Sequence, residues 1–233
     1  MWIMSDERPV ALLFSGGKDS NFAYMRLREQ GREVCCLMTV IPRDPESMLL
    51  HSVNAFLTPL QGEAMGRPVL MEDAGIGEEE DALRRLMRRA VDDYGAGYAA
   101  TGALISRWQS GVFNRLARES GLEPIAPLWG LDQEEYLREV VRRGLKAMIT
   151  RVSAYGLGND LLGAVLDEPL VERIVELSRK YRFNASFDGG EAETFVLDAP
   201  FYRLRISIVD AEVVRGSDWG ELRIKRAKLE IKG

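Results

Sequence analysis

Ser15-Gly16-Gly17-Lys18-Asp19-Ser20 is the densest run of chemically capable residues in the 233-residue chain. Two adjacent glycines let the backbone turn with positive φ and approach a ligand with no Cβ in the way. A helix that follows such a turn presents unpaired N–H groups and the positive end of its dipole. Ser15 and Ser20 add hydroxyl donors, and Lys18 adds a full positive charge. Together they make a seat for a pyrophosphate-like anion. Asp19 is out of place beside phosphates unless it caps the helix or holds a cation such as Mg²⁺ that bridges them. The run is neither G-x-x-x-x-G-K-[ST] nor G-x-G-x-x-G. A plain glycine turn with an Asp/Ser helix start is the structural alternative. The position of the six residues, after one strand-like run and before one amphipathic segment, favours the anion seat.

The elements that must position this loop read as alternating strands and helices. Val10 to Phe14 is a short apolar run ending in the glycine turn. Asp19 to Gln30 reads as a helix with Phe22, Ala23 and Leu27 facing inward and Gly31 as its stop. Strands are expected at Glu33–Val40, Pro68–Met71 and Tyr98–Thr101, and helices at Glu78–Tyr94 and Ser106–Ser120. Ala82, Leu83, Leu86, Met87, Ala90, Val91 and Tyr94 form the apolar stripe of the clearest helix. The acids Glu78-Glu79-Glu80-Asp81 at its start complement its dipole and read as a solvated face rather than a metal cluster. Alternation of this kind implies a parallel sheet covered on both faces, with ligands beyond the carboxyl ends of its strands.

The texture changes near residue 130. Asp132 caps a helix to Arg143 in a capping-box variant with Glu135, Leu145–Val152 is strand-like, and Pro169 opens a helix to about Tyr181. Strand character then recurs at Thr194–Leu197, Tyr202–Val209 and Leu222–Leu229. The fold class is therefore α/β: a parallel-sheet, Rossmann-like domain over residues 1–129, then a smaller mixed α+β domain over residues 130–233, tightly packed together.

Apolar residues make up 46% and charged residues 29%, ordinary for a soluble globular chain, and the net charge is −5. An acidic balance argues against wrapping nucleic acid. Cys35 and Cys36 are adjacent in an apolar run, so buried strand thiols in a reducing cytoplasm are expected rather than a disulfide or metal site. The N-terminus lacks the pattern of a signal peptide, and no apolar run approaches the about 18 residues that span a membrane.

The loop resembles the signature of the PP-loop ATP pyrophosphatases. The resemblance extends over nearly the whole chain. Leu50-His51-Ser52-Val53-Asn54, Thr101-Gly102-Ala103-Leu104-Ile105-Ser106-Arg107-Trp108-Gln109, Pro127-Leu128-Trp129-Gly130 and Gly189-Gly190-Glu191-Ala192-Glu193-Thr194 are similar, in order, to segments of the diphthine–ammonia ligase family. The resemblance implies an adenine-nucleotide α-hydrolase-like sheet and ATP with Mg²⁺ as cofactors. It also implies amidation of diphthine on translation elongation factor 2 with ammonia. The family's usual string Gly-Glu-Gly-Gly-Glu-Tyr-Glu-Thr departs here: Phe187 and Asp188 replace the first Gly-Glu, and Ala192 replaces the Tyr.

On this reading the phosphates lie over Ser15, Gly16, Gly17, Lys18, Asp19 and Ser20, with Asp19 the metal ligand. Gly102 permits close approach of the nucleotide, and Ser106 and Gln109 donate at a helix start; helix capping by Ser106 is the alternative. His51, the one histidine, and Asn54 would position substrate or ribose. Asp188, Gly189, Gly190 and Thr194 would bind substrate, with Glu191 or Glu193 accepting a proton from ammonium. A surface hairpin is the plain alternative for the 188–194 turn. Trp129 reads as a domain-interface core residue in preference to an adenine platform. A substrate carboxylate would attack the α-phosphorus, Lys18 and Mg²⁺ would stabilise leaving pyrophosphate, and free ammonia would attack the acyl-adenylate. A transient protein partner, no membrane, no direct nucleic acid and a homodimer complete the expectation. A tRNA-modifying enzyme of the same loop class, or a nucleotide-binding module without turnover, are the competing readings.

Overall fold

The computed structural model describes residues 8–43, 53–105 and 107–233, with the backbone alone at 107–109. The first half builds a five-stranded sheet from β1 (Val10–Leu13), β2 (Val34–Pro42), β3 (Val69–Ala74), β4 (Tyr98–Ala100) and β5 (Glu123–Ile125). Their order is β3-β2-β1-β4-β5, and every neighbouring pair is parallel. The order reverses between β1 and β4, which makes the loops leaving those two strands the walls of the sheet's ligand crevice.

Both faces of this sheet are covered, and β1 shows how its sequence arranges that. Val10 and Leu12 join a core with Phe22, Tyr136, Leu137, Ile149, Phe195 and Val196. Ala11 joins the opposite core with Cys36, Met38, Leu83, Leu86 and Phe113. Period-2 alternation sends neighbouring residues to opposite faces, and each face finds helices. Helices α1 (Lys18–Glu29), α2 (Thr58–Met65), α3 (Glu79–Tyr94) and α4 (Arg107–Glu119) supply the cover.

The second half contains α5 (Gln133–Arg142), α6 (Glu168–Tyr181) and the strands β6 (Lys146–Val152), β7 (Ala192–Asp198), β8 (Leu204–Arg215) and β9 (Gly220–Ile231). These strands form an antiparallel sheet of order β7-β6-β9-β8. Asp132 caps α5 by accepting from the Glu135 N–H at 2.9 Å, as the capping pattern implied. The core that contains Val10 and Leu12 also contains Ile149, Phe195 and Val196, so the halves share one apolar interior. Backbone bonds add to this, such as the Val196 N–H to the Gly16 carbonyl at 3.0 Å.

Several elements were not evident in the sequence. β5 carries Pro124 in its middle, which is tolerated because β5 is an edge strand with no partner on one side. In α2, a Cβ on Gly62 would come within 2.8 Å of the Arg67 carbonyl. Its glycine reflects close packing against the chain leading into β3, although it reads as a breaker. β8 and β9 run 12 residues each, longer than expected, because their charged outer ends pair beyond the core. Trp129 is 46% exposed while Leu128 is fully buried. Leu128 therefore fills the core at the Pro-Leu-Trp-Gly turn, and the expected interface role of Trp129 is not met.

Candidate active site

The glycine loop leaves β1 at the crevice and is pinned by its carbonyls. Gly16 adopts φ +83°, and its carbonyl accepts from Gln61 Nε2 at 2.8 Å, Asn21 Nδ2 at 3.2 Å and the Val196 N–H at 3.0 Å. The Gly17 carbonyl accepts from Asn21 Nδ2 at 2.9 Å and Ser20 Oγ at 3.1 Å. In a trans peptide the N–H points opposite to the C=O. Drawing the Gly16 carbonyl inward therefore turns the Gly17 N–H the other way, where it donates to Ser15 Oγ at 3.4 Å. Gly17 is also the N-cap of α1 and provides no side-chain cap, so beyond the Lys18 N–H, which Thr194 takes, the first-turn donors that an anion would meet are the Asp19 and Ser20 N–H groups.

The loop fits tightly between its neighbours. A Cβ on Gly17 would meet the Thr194 carbonyl at 3.1 Å, and one on Gly102 would meet the Asp19 carbonyl carbon at 2.7 Å and the Ser20 nitrogen at 2.9 Å. The loop after β4 thus lies directly on the first turn of α1. Thr194 Oγ1 accepts from the Lys18 N–H at 3.0 Å, which brings the start of β7 to the same point.

Lys18 is turned inward and is 1% exposed. Its ammonium donates to Asp19 Oδ1 at 2.7 Å and Oδ2 at 3.0 Å, and to the Ser186 carbonyl at 2.5 Å. It also lies 5.7 Å from the centre of the Tyr136 ring and 5.3 Å from that of Phe187, within cation–π range. Asp19 keeps a third of its side chain exposed and accepts from the Tyr136 hydroxyl at 2.6 Å. Burial, then the charge of Asp19, push the Tyr136 hydroxyl well above its usual range, so it remains a donor at neutral pH.

The acidic turn of the second half closes the site from the other side. Asp188 accepts from the Ile105 N–H at 2.8 Å and the Leu104 N–H at 3.3 Å. Burial pushes its carboxyl up, with the nearby Asp19 charge adding to that, while the Ile105 and Leu104 N–H groups and Lys18 oppose it. A cation between Asp19 and Asp188 would relieve their mutual repulsion, and hard-oxygen ligation by one or two carboxylates plus phosphates suits Mg²⁺. Among the described residues no group of three or more His, Cys, Asp and Glu converges on one point.

Glu191 and Glu193 are set apart by what they touch. Glu191 accepts from the Asn184 N–H at 3.0 Å and the Gly189 N–H at 2.9 Å, and so holds the turn containing Gly189 and Gly190. Glu193 accepts from the Val53 N–H at 3.1 Å. Part of its side chain reaches the surface, yet the protein packed around its carboxyl pushes it above the ordinary 4.5. The Val53 N–H and Arg151 oppose that shift, and Glu221 adds to it. Asn54 is buried. It donates to the Leu222 carbonyl at 3.1 Å and accepts from the Ile224 N–H at 2.9 Å, which occupies its amide with β9 rather than with the crevice. His51 and Ser106 lie outside the described residues, as does the side chain of Gln109.

Sequence reasoning missed Asn21, Gln61, Tyr136 and Ser186. Asn21 lies one residue past the loop motif and Tyr202 Oη donates to its Oδ1 at 2.7 Å. A polar side chain on the inward face of an otherwise apolar helix was its available signal. Gln61 and Ser186 carried none, since tertiary structure alone brings them to the loop.

Comparison with known proteins adds a family to this geometry. The diphthamide synthase N-terminal domain matches residues 8–124, and the diphthamide synthase C-terminal domain matches residues 132–230. A diphthine–ammonia ligase of Schizosaccharomyces pombe is 32% identical over 94% of this chain, which spans 39% of that protein's length. The diphthine–ammonia ligases of Mus musculus and Homo sapiens are each 30% identical, covering 96% and 88% of this chain and 93% and 84% of their own. The solved structure of a U34-tRNA thiolase from Methanococcus maripaludis aligns with 81% of this chain and 72% of its own at 13% identity and a TM-score of 0.38. Two domain matches in series, and relatives that align with 88–96% of this chain, show that the chain belongs to the diphthamide synthase family.

Proposed function

We propose that this chain is an AMP-forming amide ligase that uses ATP and ammonia to amidate diphthine on translation elongation factor 2, in a reducing cytoplasm. The observation that carries the reading is the glycine loop at the crevice of the parallel sheet. Its carbonyls are tied down by Asn21, Gln61 and Val196, and the Asp19 and Ser20 N–H groups at the start of α1 would take the phosphates.

The chain's own residues account for the steps in turn. The start of α1 would seat the phosphates, and holding them preorganised avoids reorganisation during reaction. Asp19, with Asp188 facing it, would hold Mg²⁺, which when bound supplies charge neutralisation to the phosphates. The substrate carboxylate attacks the α-phosphorus, forming the acyl–O–P bond as the bond to pyrophosphate breaks. Lys18, drawn inside by Asp19 and the Ser186 carbonyl, would act on the phosphates through the Asp19 carboxylate that it holds. Ammonia attacks the acyl carbon and AMP leaves with the proton that the new amide sheds; before that, ammonium must give up a proton to become ammonia. Glu193 is the carboxylate suited to that proton, because burial raises it and Glu191 is committed to the turn.

The test is to incubate the protein with ATP, ammonium and diphthine-modified elongation factor 2. AMP, pyrophosphate and conversion of the factor's carboxylate to an amide by mass spectrometry are expected. ADP and phosphate as products would overturn the adenylation step. An unmodified factor despite AMP formation would overturn the acceptor.

A further inference from the structure

The hydroxyl of Tyr136 is a buried polar group that the reaction as written does not use. Tyr136 is 2% exposed and lies on α5, in the second half of the chain. Its ring meets Phe22 of α1 edge to face, with centroids 5.3 Å apart and planes at 89°. That packing aims the hydroxyl at one atom, Asp19 Oδ1, at 2.6 Å. Lys18 Nζ approaches the same oxygen at 2.7 Å and Asp19 Oδ2 at 3.0 Å.

A carboxylate oxygen has about two lone-pair sites. Lys18 and Tyr136 between them fill Oδ1. Oδ2 has the longer contact to Lys18 and retains acceptor capacity toward the exposed side of Asp19. Rotation about the terminal bond of an aspartate is soft, so Lys18 alone would leave the carboxylate free to rock. A second donor from a different direction fixes its plane. That donor sits 117 residues away in sequence, on the half that carries the acidic turn. The free face of Asp19 is therefore set only when α5 is docked on α1.

We propose that Tyr136 is a positioning residue that orients the Asp19 carboxylate so that its outer oxygen meets a divalent cation bound with a nucleoside triphosphate. The inference rests on the ATP reading above and deepens it. It assigns the second half a share in assembling the nucleotide site. Tyr136 need not touch nucleotide, metal or acceptor.

The experiment measures equilibrium binding of ATP to the full chain by calorimetry, once with Mg²⁺ and once with EDTA. The chains compared are the wild type, Tyr136→Phe, Asp19→Asn and the double variant. Phenylalanine keeps the ring against Phe22 and removes only the hydroxyl. Loss of the donor that fixes the Asp19 carboxylate should weaken Mg-ATP binding by Tyr136→Phe about tenfold or more. Binding in EDTA should change by less than about twofold, and the Mg-dependent loss should vanish when Asp19 is already Asn. Equal losses in both buffers would mark a structural effect, including loss of the fold, and would overturn the inference. So would unchanged Mg-ATP binding by Tyr136→Phe, or an undiminished loss in the Asp19→Asn background. A wild type that binds ATP in neither buffer would instead remove the ATP reading itself.

Discussion

The Asp188 carboxylate accepts the backbone N–H of Ile105 at 2.8 Å, with the Leu104 N–H on its other oxygen at 3.3 Å. One side chain thus ties the acidic turn of the second half to the loop that leaves β4. The bond closes the crevice opposite the glycine loop. Removing it with Asp188→Ala leaves two N–H groups without this acceptor at a half-buried position. The expected loss of stability is about 1–3 kcal/mol, read from urea unfolding. The KM values for the protein acceptor and for Mg-ATP should both rise, since Asp188 belongs to the acidic turn and faces the cation that Asp19 would hold. An unchanged unfolding midpoint would show that the two halves are held without this contact.

Gly102 lets the loop after β4 lie on the first turn of α1. A Cβ there would come 2.7 Å from the Asp19 carbonyl carbon and 2.9 Å from the Ser20 nitrogen, both rigid backbone. Gly102→Ala must therefore push the loop away from the phosphate seat. Overpacking of this kind costs typically 1–3 kcal/mol, roughly, and AMP formation should fall by at least about tenfold. Gly111 in α4 is the control, because nothing lies within 4 Å of a Cβ there. Gly111→Ala should stabilise the chain by about 0.5–1 kcal/mol through helix propensity. Equal activity in the two variants would show that the close approach at Gly102 is dispensable.

The contrast between these glycines shows what the sequence could reveal. The turn at Ser15 to Ser20 was legible because its residues are consecutive and lie between a strand and a helix. The stripe Ala82, Leu83, Leu86, Met87 and Ala90 was legible because helical period alone puts it on one face, and all five are buried. Tyr136 was not, since on α5 it reads as one more apolar contact beside Leu137 and Val140. Its hydroxyl acquires meaning only when α5 packs on α1. Lys18 misled for a related reason. A lysine in a glycine loop reads as a charge offered to the ligand, but the Ser186 carbonyl and the Asp19 carboxylate together draw it inside.

Asn54 separates a family motif from a ligand contact. Its amide makes one bond to the Leu222 carbonyl at 3.1 Å and one from the Ile224 N–H at 2.9 Å. It therefore continues the edge of β9 as a strand would. Asn54→Ala strands two buried backbone groups, with an expected cost of about 1–3 kcal/mol in unfolding free energy. At a temperature where the variant stays folded, its kcat for amidation and its KM for ATP should remain within about threefold of wild type. A large loss of kcat with normal stability would return Asn54 to the substrate.

Glu193 is the group whose removal should split the reaction in two. Burial raises its carboxyl above the ordinary 4.5, with the Val53 N–H and Arg151 opposing and Glu221 adding to the shift. For an acid raised in the folded state, the folded chain binds the proton more tightly than the unfolded chain. Its favourable contribution is complete below about pH 4.5 and is lost as pH rises through the folded value. Glu193→Gln removes that loss, so above this window the variant should melt at a higher temperature than wild type. The difference should disappear in stronger acid. The same substitution removes the proton acceptor for ammonium. Adenylation, followed by exchange of labelled pyrophosphate into ATP, should be preserved, while amide formation from ammonium falls by about 10²–10⁴-fold. Hydroxylamine is neutral at neutral pH and needs no such acceptor, so it should still be converted to the hydroxamate by Glu193→Gln. Equal losses with ammonium and hydroxylamine would remove Glu193 from proton transfer and leave it as a structural acid between Val53 and Arg151.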